Sequence, residues 1–155
     1  MTTEHAEELR KLVTGKRFAM LTTVADDGSL VSRPMTIQES DDWVFRFITQ
    51  ESNEVTAQSE GQQVNLSIMD GGTYLSLSGT GSVDRDVAAK RELWDRLTEA
   101  YAGQPEDPEN VILDITVTAG EYWDAGNPVV RVLGLAKAAV TGDPPASGEH
   151  GAVNL

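Results

Sequence analysis

Ser32-Arg33-Pro34-Met35-Thr36-Ile37-Gln38, then an acidic segment, then Trp43-Val44-Phe45-Arg46-Phe47-Ile48-Thr49 and Ser52-Asn53-Glu54-Val55, is the stretch whose reading decides the fold. It reads as strand, hairpin, strand and helix start. Trp43, Phe45 and Phe47 alternate with Val44, Arg46 and Ile48, so the second strand presents an aromatic face and a face carrying an arginine. Ser52 is placed to cap a short helix over residues 52 to 60, since its hydroxyl can accept from an otherwise unpaired amide. Arg33, Gln38 and Ser52 supply an arginine, an amide and a hydroxyl that could converge on one anionic ligand. Glu54 puts a negative charge at the helix entrance, where a cation would favour phosphate.

Strand signals continue on both sides. Residues 18 to 24 and 30 to 37 flank Ala25-Asp26-Asp27-Gly28-Ser29, where Asp-Gly supplies the positive φ of a hairpin turn with a bulge. Residues 63 to 68 and 74 to 83 read as a second hairpin around Asp70-Gly71-Gly72. Gly79 and Gly81 fall inside its longer arm, where a coiled barrel needs a bulge. Residues 111 to 118 alternate as a further half-buried strand. Residues 3 to 14 suit an amphipathic helix with acidic residues early, Arg10 and Lys11 late, and Leu9, Leu12 and Val13 facing the core. Asp86 to Ala102 reads as one long helix, with Leu93, Trp94, Leu97, Ala100 and Tyr101 as an apolar core stripe. An apolar segment spans Val129 to Val140. Residues 1–140 read as one domain, and 141–155, rich in Gly, Pro, Ser and Ala, as an irregular tail.

Composition narrows the function. A chain of 155 residues, 39% hydrophobic, holds one core and not two. A formal charge of −13 repels nucleic-acid phosphates and anionic membranes, so neither is an expected partner. No apolar run approaches a membrane span, and the amino terminus lacks the pattern of a signal peptide. With no cysteine, disulfides and thiolate metal sites are out, and a cytoplasmic location is expected. Histidines stand only at 5 and 150, which gives no Ser/His/Asp triad and no paired metal ligands. The acidic groups at 39–42 and 106–109 lack the spacing of a calcium loop and read as solvated turns, and no metal is expected. The glycine pairs lie between and within strands, which gives no dinucleotide loop.

Several motifs in order carry a resemblance. Met20-Leu21-Thr22-Thr23, the hairpin at Gly28, Ser32-Arg33-Pro34-Met35 with Gln38, Val64-Asn65-Leu66-Ser67, Tyr74-Leu75-Ser76-Leu77-Ser78-Gly79, Leu93-Trp94 and Glu121-Tyr122-Trp123-Asp124 run in this sequence over residues 5 to 124. Together they resemble the general stress protein 26 branch of the pyridoxamine 5′-phosphate oxidase-like, FMN-binding split-barrel family. The resemblance implies a mainly β fold, a six-stranded antiparallel Greek-key barrel with flanking helices, forming a homodimer with flavin clefts at the subunit interface. It further implies that FMN meets Arg33, Pro34, Met35, Thr36 and Gln38, with Ser52 toward the phosphate. Trp123 would cover the cleft from the partner or close the barrel end. Two positions depart from the family pattern. Glu54 stands where lysine is usual, and Ile48 where a hydroxyl residue is common, leaving Thr49 beside it as the substitute.

Two functions follow as expectations. In one the chain is an FMN-dependent oxidoreductase of the general stress protein 26 type, with the cofactor supplying the chemistry, so that no acid, base or nucleophile need be visible. In the other it is a non-enzymatic, stress-related or ligand-binding dimer that has lost FMN, the reading Glu54 favours. Pyridoxamine phosphate oxidation itself lacks the basic cluster that a second phosphate-bearing substrate needs. Three tryptophans in a small chain and an open barrel side predict an obligate symmetric dimer with an interface above ~2,000 Å².

Overall fold

A computed structural model describes residues 3–124, 139, 140, 142 and 149–155. Most of the apolar segment at 129–140, all but its last two residues, lies outside them. Helix α1 (Thr3–Val13) starts with Glu4 and ends with Arg10 and Lys11, each matched to the helix dipole, and it buries Leu9 and Val13. Strands β1 (Phe18–Val24) and β2 (Leu30–Thr36) pair antiparallel around a turn in which Gly28 has φ 84°. Strand β3 (Glu39–Asp41) turns into β4 (Val44–Gln50), helix α2 (Glu54–Ser59) follows, and β5 (Gln63–Asp70), β6 (Thr73–Asp84) and β7 (Asn110–Asp124) complete the long strands.

These form one antiparallel sheet in the order β2-β1-β5-β6-β7-β4-β3. The neighbours β5-β6-β7-β4, three strands joined in series and one returning beside β7, make a Greek key. Although β2 and β3 occupy opposite ends of the order, only Ile37 and Gln38 join them. Two residues span about 10 Å at most, so the sheet must curl until its ends meet. The backbone records the seam. The Ile37 N–H donates to the Arg17 carbonyl at 2.8 Å, whereas the Gln38 N–H donates to Arg46 of β4 at 2.9 Å. The inner face of the curled sheet buries Leu21, Phe45, Phe47, Leu66, Leu77, Leu113 and Ile115. The six expected barrel strands are present, with the short β3 and a C-terminal strand added.

That last strand, β8 (Glu149–Asn154), pairs with β7 from Ala119↔Asn154 to Asp124↔Glu149. An irregular tail was expected over 141–155, and within it residues 149–154 are a strand. Val153 turns into the core, and Gly151 lies where a Cβ would come within 2.5 Å of the Tyr122 ring, so a small residue is what lets the strand dock.

Two further expectations change. The helix expected over Asp86–Ala102 is two helices, α3 (Val87–Leu93) and α4 (Arg96–Ala102). Asp95 breaks it by taking an extended backbone and accepting from the Thr98 amide at 2.8 Å and the Thr98 hydroxyl at 2.8 Å, a fresh N-cap. The apolar stripe is therefore not core. Leu97 is 68% and Tyr101 57% exposed, while the side chains these helices bury are Lys90 and Thr98. Second, Trp43 is a turn residue and not part of the strand. Asp42 (φ 48°) and Trp43 (φ 66°) both take left-handed backbone in a two-residue hairpin loop usually given to Asn and Gly. Such a conformation costs roughly 1–2 kcal/mol per non-glycine residue. Packing of Trp43 on the core and the Arg10 guanidinium 5.3 Å from its ring centroid offset that cost.

Among the described residues no helix is long and apolar enough to cross a membrane. Gly79 marks the bulge, since the β6–β7 register shifts between Ser78 and Gly79, and an added Cβ would lie 2.2 Å from the Thr116 carbonyl oxygen. Backbone on backbone cannot yield as a side chain can. Gly79→Ala is expected to destabilise the fold by about 1–3 kcal/mol, read as a lowered urea midpoint with the slope unchanged.

Candidate functional site

On the inner side of β2, Arg33 is half-buried at the end of the sheet. Its Nη1 donates to Thr23 Oγ1 at 2.7 Å and its Nη2 to Gln58 Oε1 at 3.2 Å, and the Thr23 hydroxyl donates to the same Gln58 oxygen at 2.7 Å. Strand β2, strand β1 and helix α2 are thereby tied through one closed polar triangle. Burial pushes the guanidinium below its ordinary pKa, and the Glu54 carboxylate opposes that shift by favouring the charged form. Beyond Arg33, β2 pairs only with β1, so its second edge presents backbone groups that no other described strand uses. Pro34 and Thr36 are exposed along this strand, and Met35 packs against the core at partial burial.

The segment before α2 carries the second half of the expected site, and its wiring differs from expectation. Asn53, not Ser52, caps α2, accepting from the Val55 amide at 3.3 Å. Ser52 faces Glu109 instead. Its amide donates to Glu109 Oε1 at 2.8 Å and its hydroxyl donates to the same oxygen. The donors expected to meet a phosphate hold a carboxylate of this chain. Next to it, Arg85 forks between Glu51 (Nη2 to Oε1, 2.8 Å) and Glu60 (Nη1 to Oε1, 3.1 Å), so its charge is already matched. Hydrogen bonding to Arg85 holds the Glu51 carboxyl below its ordinary value of 4.5.

The remaining expected residues are dispersed. The Gln38 amide donates to the Tyr101 hydroxyl at 2.8 Å, which ties it to α4. Thr49 is buried in β4, and Ile48 beside it is buried too. Arg46 reaches Asp114 at 3.4 Å and Glu39 at 3.7 Å, a paired cation on the far side of the seam. Trp123 lies on β7, separated from β2 in the sheet order by β1, β5 and β6, with its ring stacked on His150 at 5.1 Å between centroids and 13° between planes. Within one chain, then, Arg33 stands with Thr23 and Gln58, while Gln38, Ser52 and Trp123 each belong to another contact. Thr23, Gln58 and Glu109 escaped the sequence reading. Alternation places Thr23 inward on β1, but nothing local marks Gln58 or Glu109 as partners of residues 25 and 57 positions away.

A flavin mononucleotide fits this chain at one end only. The half-buried arginine and the unshared edge of β2 suit the polar rim of a planar heteroaromatic ring. The Ser52 donors, engaged by Glu109 and flanked by Glu54 and Glu51, do not suit a phosphate. Among the described residues no group of three or more His, Asp or Glu could hold a metal ion.

The model of a family described as pyridoxamine 5′-phosphate oxidase like matches residues 4–146. The structure of a protein described as a general stress protein 26 from Jannaschia sp. CCS1 superimposes with a TM-score of 0.80 at 26% identity, covering 99% of this chain and 100% of that one. A general stress FMN/FAD binding protein from Xanthomonas citri superimposes with a TM-score of 0.68 at 27% identity, covering 81% of this chain and 92% of that one. An F420H(2)-dependent biliverdin reductase from Mycobacterium tuberculosis (strain CDC 1551 / Oshkosh) is 28% identical over 120 residues, 75% of this chain and 86% of the relative.

The Glu51–Arg85 bond has a pH signature. A carboxyl depressed in the folded state contributes stability above its unfolded value near 4.5 and loses it as pH falls through the folded value. Arg85→Gln is therefore expected to lower stability near pH 7 and to leave a smaller loss between about pH 7 and pH 3 than the natural chain shows. Urea midpoints at both pH values check this.

Proposed function

The chain belongs to the pyridoxamine 5′-phosphate oxidase-like family, and from that premise we propose that it is a homodimeric split barrel that binds a flavin-class ring along β2 and serves as a small oxidoreductase. The observation that carries the reading is Arg33, half-buried against Thr23 and Gln58, beside the second edge of β2 that no described strand uses. A ring with donors and acceptors on its rim can meet the carbonyls of β2 and its amides other than at Pro34, which has no N–H. The bound ring would supply hydride or electron transfer, while this chain positions it and excludes water. Relatives whose descriptions name FMN/FAD binding and F420H(2)-dependent reduction support the class of ring.

The dimer rests on the outer face of the sheet. Phe18 (64% exposed), Met69 (74%), Tyr74 (46%) and Trp123 (40%) lie on β1, β5, β6 and β7, with Met69 opposite Tyr74 and Tyr74 opposite Trp123. A continuous row of large apolar side chains is what a second copy would cover. Next to it the face is polar, with Thr22 bonded to Ser32, Asn65 to Ser76 and Ser78, and Glu121 opposite Ser76 reaching His150 at 3.9 Å. A cytoplasmic location accords with the absence of cysteine.

A second reading, a ligand-binding dimer without redox chemistry, is favoured by the carboxylate on Ser52. A visible absorption spectrum before and after riboflavin and FMN are added separates the two. The proposal expects uptake of a yellow flavin, and a protein colourless under every condition defeats it. Sedimentation at micromolar concentration is expected to show a dimer, and Phe18→Asp with Met69→Asp a monomer. Arg33→Ala is expected to weaken ring binding by roughly 1.5–3 kcal/mol, the range for a hydrogen bond to a charged group, beyond any loss of fold stability. A variant that melts earlier yet binds unchanged would leave Arg33 a purely structural residue.

A further inference from the structure

Glu109 is held in place more firmly than a surface glutamate needs to be. Its carbonyl accepts from the Glu51 amide at 2.7 Å, and its own amide donates to Asp107 Oδ1 at 2.9 Å. On either side of it, the carbonyls of Asp107 and Asn110 accept from the Lys90 ammonium at 3.2 and 2.9 Å. Lys90 is 1% exposed, so this cation is spent on the backbone of the loop that carries Glu109. The buried Asn110 side chain ties the same loop to the carbonyls of Ala102 and Gln104 at 2.7 and 3.0 Å. The loop thus delivers one carboxylate oxygen to two donors of Ser52, and Glu54 adds a second negative charge two residues on.

From this wiring we infer that Glu109 is an internal anion that keeps the Ser52 donors closed to phosphate, so that the barrel selects ligands by their ring and disfavours those with a terminal phosphomonoester. The inference rests on the ring-binding function and adds its specificity. A phosphate entering here must displace Glu109 from two hydrogen bonds and then face Glu54. The two nearby cations are already engaged, Arg85 by Glu51 and Glu60 and Arg33 by Thr23 and Gln58. A ligand with an uncharged tail meets neither obstacle. Charge repulsion and occupied donors act together, so relieving one leaves the other in force.

The test is a set of fluorescence titrations with riboflavin and FMN on the full chain, on Glu109→Gln, on Glu54→Lys and on the double variant. The natural chain is expected to bind riboflavin at least as tightly as FMN, and the double variant to prefer FMN by tenfold or more with riboflavin affinity little changed. Ser52→Ala placed in the double variant removes the hydroxyl donor and should reduce that preference. A natural chain that prefers FMN tenfold, or a double variant with no gain, overturns the inference while leaving ring binding intact. Inorganic phosphate gives an arm independent of the ring. It should raise the melting temperature of the double variant and leave that of the natural chain unmoved, and equal responses overturn the role of Glu109 even if no flavin binds. Absence of flavin binding in every form defeats the ring reading alone.

Discussion

Everything in this fold is subordinate to the two residues that join β2 to β3. A sheet whose terminal strands are connected by Ile37 and Gln38 has no freedom to lie flat, and the amides of those two residues are paired to opposite sides of the seam. Curling turns the alternating side chains of every strand into an inside and an outside. The inside becomes the core of Phe45, Phe47 and the leucines, and the outside keeps Phe18, Met69 and Tyr74 in solvent. The same curl places Arg33 within reach of Gln58, because α2 is carried from the end of β4 toward β1. A longer connection would free the sheet to open, and the polar triangle of Arg33, Thr23 and Gln58 would lose its geometry.

The site shows how charge is redistributed without changing the scaffold. Around α2 the chain has four carboxylates, Glu51, Glu54, Glu60 and Glu109, against Arg33 and Arg85. Arg85 is bound by two of them, and the excess is negative. Local hydrogen bonds follow suit, with Ser52 donating inward to Glu109 and not outward to a ligand. The buried Lys90 ammonium binds main-chain carbonyls, which fix its position without neutralising its charge.

Much of the fold was legible because it rests on local pattern. Strand alternation, the turn at Gly28 and the bulge at Gly79 are written in periods of two and in glycine, and the motif order over residues 5 to 124 pointed to the family. What failed to show was what depends on distant partners. The break at Asp95 is an aspartate that elsewhere would sit inside a helix, and here it competes for the Thr98 amide because the helix has no core to lie on. Strand β8 was hidden by the glycine, proline and serine before it, though His150, Ala152 and Asn154 alternate with Gly151 and Val153. In the site, Arg33 was legible and its partners were not. Glu109 sits in an acidic run read as a solvated turn, and its contact with Ser52 bridges 57 positions.

Lys90 has a chemical consequence of its own. An amine 1% exposed and engaged by two carbonyls cannot meet an acylating reagent, or an acetyl-transferring enzyme, while the Asp107–Asn110 loop is seated. Its rate of modification is then set by how often that loop lifts from α3, so one lysine reports local opening against the exposed amine of Lys11 as an internal clock.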